Sequence, residues 1–138
     1  MKTITKILGT LACIFVLTTA GKSFQGGDWV APMIANVMVN PLKGDADATM
    51  EGKKLYNQMC SICHGDKGKG DGIAGMNLDP RPADHTSAKV QNQSDGAIFW
   101  KMSTGKAPMA PYASILTETQ RWQLVNYIRE FGKTMASH

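Results

Sequence analysis

The chain is short of cysteine, with three in 138 residues, and it has no second cysteine pair or histidine pair that would complete a four-ligand zinc site. No internal repeat, run of like charge or low-complexity stretch develops. That leaves one small domain, because the length holds no second core. No segment alternates apolar and polar residues as a half-buried strand must, so the pattern points to an all-α fold. The longest apolar run, Ile7 to Leu17, falls short of the roughly 20 residues that a bilayer span needs. Charge is modest too: the net value is +4, and Lys2 and Lys6 supply part of it. Without residues 1–20 the excess drops to about +2, which demands neither nucleic acid nor an anionic membrane as partner.

What is present begins with a leader. Two lysines, an apolar run and the small or hydroxyl residues Thr18, Thr19 and Ala20 have the layout of a signal peptide over 1–20, with cleavage expected after Ala20 or Gly21. Cys13 faintly suggests a lipoprotein site, but Thr10 precedes it by three and the apolar run continues past it. Export, with the periplasm as destination, is the expectation, and an uncleaved membrane anchor is the alternative. Residues 21–47 contain Gly26, Gly27, Pro32, Pro41 and Gly44 and read as an extended arm packed across a domain that occupies 48–138.

Three main helices are expected in that domain. The first spans about 48–59, capped by Asp47 or Thr49, with Gly52, Leu55, Tyr56 and Met59 on one face. The second spans about 95–104, with Ser94 as cap and Gly105 as stop. The third starts at Thr117, where Gln120 completes a capping box. Its apolar face holds Leu124, Val125, Ile128 and Phe131, flanked by Trp122 and Tyr127. Between the first two lies a long Gly- and Pro-rich loop over 65–93, wrapping something, of the kind that is usually either functional or disordered.

Cys60-Ser61-Ile62-Cys63-His64 carries the chemistry. Cys-x-x-Cys-His is the attachment signature of c-type haem: two thiols at a helix end reach two vinyl groups, and the following histidine faces the iron. A thioredoxin-like reading needs a preceding strand, which is missing. A disulfide closing so short a loop would stabilise little. For the sixth iron ligand the chain offers Met109, in the stiff loop Pro108-Met109-Ala110-Pro111, with Met76 as second candidate. Met102, four residues after Ile98 on a helix, reads as core packing. His85 reads as a solvated loop residue and His138 as part of a frayed end. A thioether ligand opposite histidine raises the reduction potential and leaves no open position for oxygen or peroxide.

With these residues in view, the sequence resembles a class I cytochrome c, the monohaem, His/Met-ligated bacterial type, over about 48–132. Gly52 and Tyr56 stand eight and four residues before Cys60, as in that family's N-terminal helix. There the glycine admits a crossing C-terminal helix, matched here by Leu124 and Tyr127. Gly65 to Gly72 and Pro108-Met109-x-Pro-Tyr resemble the family's glycine run and methionine loop. The resemblance implies a small cytochrome c fold with three main helices and long loops around one covalent haem c, held by Cys60, Cys63, His64 and Met109. It also implies a proline carbonyl that holds the axial histidine's proton, from Pro80 or Pro82.

The function implied is single-electron transfer, not enzyme catalysis, with no small-molecule substrate. Partners would be redox proteins: a dehydrogenase, a quinol-oxidising complex, a reductase or a terminal oxidase. Ile62, Lys67, Lys69 and Lys106 are expected near the exposed haem edge. Asp66 and Asp71 cancel much of the lysines' field, so a solvated loop is the plainer reading. Two alternatives remain open. The protein could be a fixed haem c subunit of a larger oxidoreductase, with 21–47 as docking element. It could also be a five-coordinate haem peroxidase or sensor with His85 as distal group.

Overall fold

The computed structural model describes residues 28–133. The expected signal peptide, Cys13, the first residues of the arm and His138 lie outside them. Among the described residues there are six α-helices: α1 (Met33–Asn36), α2 (Ala46–Met59), α3 (Ser61–His64), α4 (Ala88–Gln91), α5 (Asp95–Thr104) and α6 (Glu118–Lys133). A short 3₁₀ turn covers Tyr112–Ser114. Among the same residues no strand forms, only an isolated bridge between Lys106 and Met109. The all-α expectation holds.

Helix starts follow capping chemistry. In α2 the cap is Asp45, whose carboxylate accepts from the Ala48 amide at 2.9 Å, and not Asp47 or Thr49. Asp47 instead lies in the first turn, where a negative charge favours the helix N-terminus. Ser94 caps α5 by accepting from the Ala97 amide at 3.0 Å. Thr117 and Gln120 form the expected box before α6: the Gln120 amide donates to Thr117 Oγ1, and the Thr117 amide to Gln120 Oε1.

The frame of the molecule is the crossing of α2 and α6. A Cβ on Gly52 would stand 2.0 Å from the Gln123 carbonyl oxygen and 3.2 Å from the Leu124 nitrogen, so the two backbones touch and only glycine fits. Beside this contact Tyr56, Leu124 and Val125 are fully buried, each contributing about 1.5–3 kcal/mol of burial. Helix α5 closes the core with Ile98, Phe99 and Met102, so Met102 packs as expected. Trp122, expected at the flank of α6, is 2% exposed. Its ring stacks on Phe99 at 3.9 Å, because the apolar stripe of α6 is wide enough to face both α2 and α5.

The arm is less extended than its prolines suggest. It makes one turn, α1, which lies against α5 through small residues: Ala31 and Ala35 pack on Ala97, and a Cβ on Gly96 would meet the Ala35 carbonyl at 2.0 Å. Leu42 packs on the core and Trp29 against Trp100, but Val30, Met33, Ile34, Val37 and Val39 point outward and are 71–87% exposed. A polar knot ties arm, α4, α5 and α6 together. Buried Asn40 donates to Asn126 Oδ1 at 2.8 Å, and Asn126 donates to the Leu42 carbonyl. Arg129 pairs with Asp95 at 2.7 Å and donates to the carbonyls of Gln91 and Gln93.

Candidate functional site

The Cys-x-x-Cys-His segment grows out of the end of α2. Cys60 caps that helix, its amide donating to the Tyr56 carbonyl at 2.8 Å. The chain then bends into α3, with the His64 amide donating to the Cys60 carbonyl at 2.8 Å. One turn of helix therefore brings Cys60, Cys63 and His64 together. Both cysteines are partly buried and unbridged.

A helix leaves its last carbonyls without partners, and here the following loop supplies them. The amides of Gly70, Gly72 and Ala74 donate to the carbonyls of His64, Cys63 and Ile62 at 2.8, 3.1 and 2.9 Å. A Cβ on Gly72 would come within 2.4 Å of the Ile62 carbonyl, so this clamp needs glycine. The loop is thus fastened to the motif by its own backbone. Next to it opens a shallow groove of about 540 Å³ lined by Ile62, Asp66, Lys67, Asp71 and Ile73 among others. Its rim carries both charge signs, and Ile62 is exposed there.

His64 is buried, and its Nδ1 lies 3.0 Å from the carbonyl of Ala83. That acceptor is neither Pro80 nor Pro82. The loop reaches His64 one residue beyond the second proline, a register that spacing alone does not fix. Burial lowers the pKa of His64, opposed by the bond to Ala83. A neutral ring that donates from Nδ1 keeps Nε2 as a ligand nitrogen, the arrangement that metal-bound histidines adopt.

His85 departs most from expectation. It is half-buried rather than a solvated loop residue: its ring stacks on His64 at 4.2 Å and 17°, with Tyr56 edge-on at 5.9 Å. Burial, then the neighbouring His64, pushes its pKa down to about 3. Its amide donates to the Gly68 carbonyl at 2.6 Å, so the wrapping loop pulls the ring inward. Tyr56 joins the same group, donating to the Gly65 carbonyl at 3.0 Å, and it packs on Tyr127 and Phe131. Burial raises the Tyr56 pKa, with a smaller contribution from Cys60.

Met109 ends a tight turn in which its amide donates to the Lys106 carbonyl at 2.9 Å. It is partly buried against the core, as are Met59, Cys60 and Tyr112. Tyr112 donates to the Met59 carbonyl at 3.3 Å, which ties the methionine loop to the residue before Cys60. Burial, then Cys60 and Cys63, raise the Tyr112 pKa, and burial, then Cys63, pushes Cys60 up to about 12. Met76, the second candidate, is 53% exposed on the wrapping loop.

Two unbridged thiols, an imidazole with Nδ1 already committed, and a thioether on a loop tied to the same end form a donor set that fits a covalent c-type haem. Sequence reasoning missed Ala83 and read His85 as solvated. Pro82 marked the right stretch, but no residue pattern indicated that the ring of His85 turns inward.

The comparisons agree with this chemistry. The family model described as cytochrome c oxidase, cbb3-type, subunit III matches residues 47–128. Among solved structures the chain is similar to the KustC0563 c-type cytochrome. The identity is 30%, over 58% of this chain and 95% of that one, with a TM-score of 0.50. No curated protein matches the chain in sequence.

Proposed function

Because the chain belongs to the cbb3-type subunit III family of c-type cytochromes, whose covalent haem c transfers electrons between redox partners, we propose that it is an exported, periplasmic carrier of single electrons. One haem would be held by thioethers to Cys60 and Cys63, with His64 and Met109 as axial ligands. The observation that carries this reading is the bond between His64 Nδ1 and the Ala83 carbonyl, which leaves Nε2 to the iron.

When bound, the haem supplies a one-electron couple whose potential methionine–histidine ligation raises. The chain's residues supply the rest. The thiols of α3 hold the cofactor, the Ala83 carbonyl orients His64, and Tyr112 anchors the Met109 loop to α2. Tyr56 and Phe131 pack beside the ring of His85, which lies on His64. An enzyme or sensor would need a distal acid–base group. His85, the one other histidine among the described residues, lies flat on His64 itself, which favours a carrier. Export is supported by the leader pattern. No helix among the described residues is long and apolar enough to cross a membrane.

The test is the visible spectrum of the matured protein, oxidised and reduced, before and after denaturation. Expected are haem that stays attached and, in the native oxidised form, a methionine-to-iron charge-transfer band. Met109→Ala should abolish that band, and Met76→Ala should keep it. A high-spin, ligand-binding spectrum in the native protein would overturn the Met109 assignment, and a chain without haem would overturn the whole reading.

One observation favours a second reading, a fixed subunit of a larger oxidoreductase. Residues 29–42 carry no charge yet present the exposed Val30, Met33, Ile34, Val37 and Val39, an apolar surface of the kind that marks interaction sites. Size-exclusion of the native assembly separates the two: elution as a small monomer supports the free carrier, and co-elution with partner subunits supports the bound one.

A further inference from the structure

The carrier reading uses His64, Cys60, Cys63 and Met109, and it leaves His85 without a role. Yet His85 is held as firmly as any of them. Its amide donates to Gly68 at 2.6 Å, and its carbonyl accepts from Gln91 Nε2 at 2.6 Å. Its Nδ1 lies 3.4 Å from the Tyr56 hydroxyl. The single Tyr56 proton goes to the closer Gly65 carbonyl, so the His85 ring donates at that contact. Phe131 covers another side, with ring centres 6.2 Å apart.

We propose that His85 is a positioning residue for the axial imidazole: its ring, lying flat on that of His64, fixes the plane in which His64 presents Nε2 to the iron. The inference rests on the reading of His64 as axial ligand. A carbonyl acceptor such as Ala83 holds the direction of Nδ1, but acceptor angles are broad. The second side-chain torsion of histidine is also loosely restrained by itself. One hydrogen bond therefore leaves the His64 ring free to swing. A flat ring 4.2 Å away at 17° removes that freedom, since rotation of His64 would drive its edge into the face of His85. Outer residues that orient a ligand ring in this way tune the metal without touching it.

The plane of an axial imidazole sets the direction of the unpaired electron in low-spin ferric haem, and so the spin density on the four haem methyls. The experiment is proton NMR and low-temperature EPR of the oxidised holo-protein for wild type, His85→Phe, His85→Leu and His85→Gln. Phenylalanine keeps a flat ring and should keep the order of the methyl resonances and the g-values. Leucine and glutamine remove the ring, and each should reorder or compress the methyl pattern. Two ringless variants are used so that misfolding of one still leaves a comparison, with circular dichroism as the fold control. The proposal is overturned if the ringless variants reproduce the wild-type pattern, or if phenylalanine disturbs it as much as they do. A wild-type protein that attaches haem but lacks the methionine band removes Met109 alone, and added cyanide then gives the low-spin ferric form in which the same His85 comparison is read. Failure to attach haem at all removes both.

Discussion

Gly52→Ala tests the helix crossing on which the site is built. The added Cβ would stand 2.0 Å from the Gln123 carbonyl oxygen, against 3.4 Å for ordinary contact. The two backbones would have to separate by about 1.4 Å, since the obstructing atom is main chain and cannot rotate away. Overpacking of this kind costs about 1–3 kcal/mol, and the upper end applies because Tyr56, Leu124 and Val125 all lose contact when the helices part. Alanine's better helix propensity offsets about 1 kcal/mol. The net expectation is a loss of about 2 kcal/mol, a fall in melting temperature of roughly 10 °C for a domain of this size. Denaturant unfolding of the haem-loaded protein, followed by far-UV circular dichroism, measures it. Lys53→Ala, on the exposed neighbouring position, serves as control and should change stability by under about 0.5 kcal/mol. A Gly52→Ala protein as stable as wild type would refute the close approach of α2 and α6.

Other consequences can be measured in the same way. Tyr56→Phe strips the donor from the buried Gly65 carbonyl and should cost about 1–2 kcal/mol in denaturant unfolding. Arg129→Ala leaves Asp95 with the Asn40 amide but no cation, takes the Arg129 donor from two backbone carbonyls and should cost about 3 kcal/mol. The Arg129→Ala/Asp95→Ala double variant should lose less than the sum of the single ones. Acid–acetone extraction should leave haem on the wild-type chain and remove it from Cys60→Ala/Cys63→Ala; haem that extracts from wild type would deny the thioethers. Met33→Ser, Ile34→Ser and Val37→Ser should each change the isolated protein's stability by under about 0.5 kcal/mol, and larger losses would mean the arm is packed differently.

Much of this was legible in the sequence, because the legible parts rest on short-range rules. The capping box at Thr117 and the serine cap at Ser94 follow from local chemistry, while the glycine needed where α2 meets α6 was implied by the resemblance to class I cytochromes c. The clustering of Cys60, Cys63 and His64 on one helical turn follows from fixed spacing. The errors fall where a loop's path decides the outcome. Ala83 replaces its neighbouring prolines as the acceptor for His64 because register inside an irregular segment has no period to read. His85 turns inward because its backbone is tied to Gly68, seventeen residues away, a pairing that composition does not announce. The knot of Asn40, Asn126, Asp95 and Arg129 was unread for a related reason. Polar residues scattered over three segments acquire a shared role only once the segments have met.

The way the arm attaches separates two kinds of residue that differ in their freedom to change over time. The seat of α1 on α5 uses backbone and side chains no larger than alanine, at positions 31, 35, 96 and 97, where almost any enlargement would lift that turn away. Positions 30, 33, 34, 37 and 39 face outward and contribute nothing to that grip. Selection can therefore rewrite the outer face of α1, residue by residue, without disturbing the domain beneath. Related chains should keep small residues on the inner positions while the outer ones drift, each lineage fitting the same arm to its own surroundings.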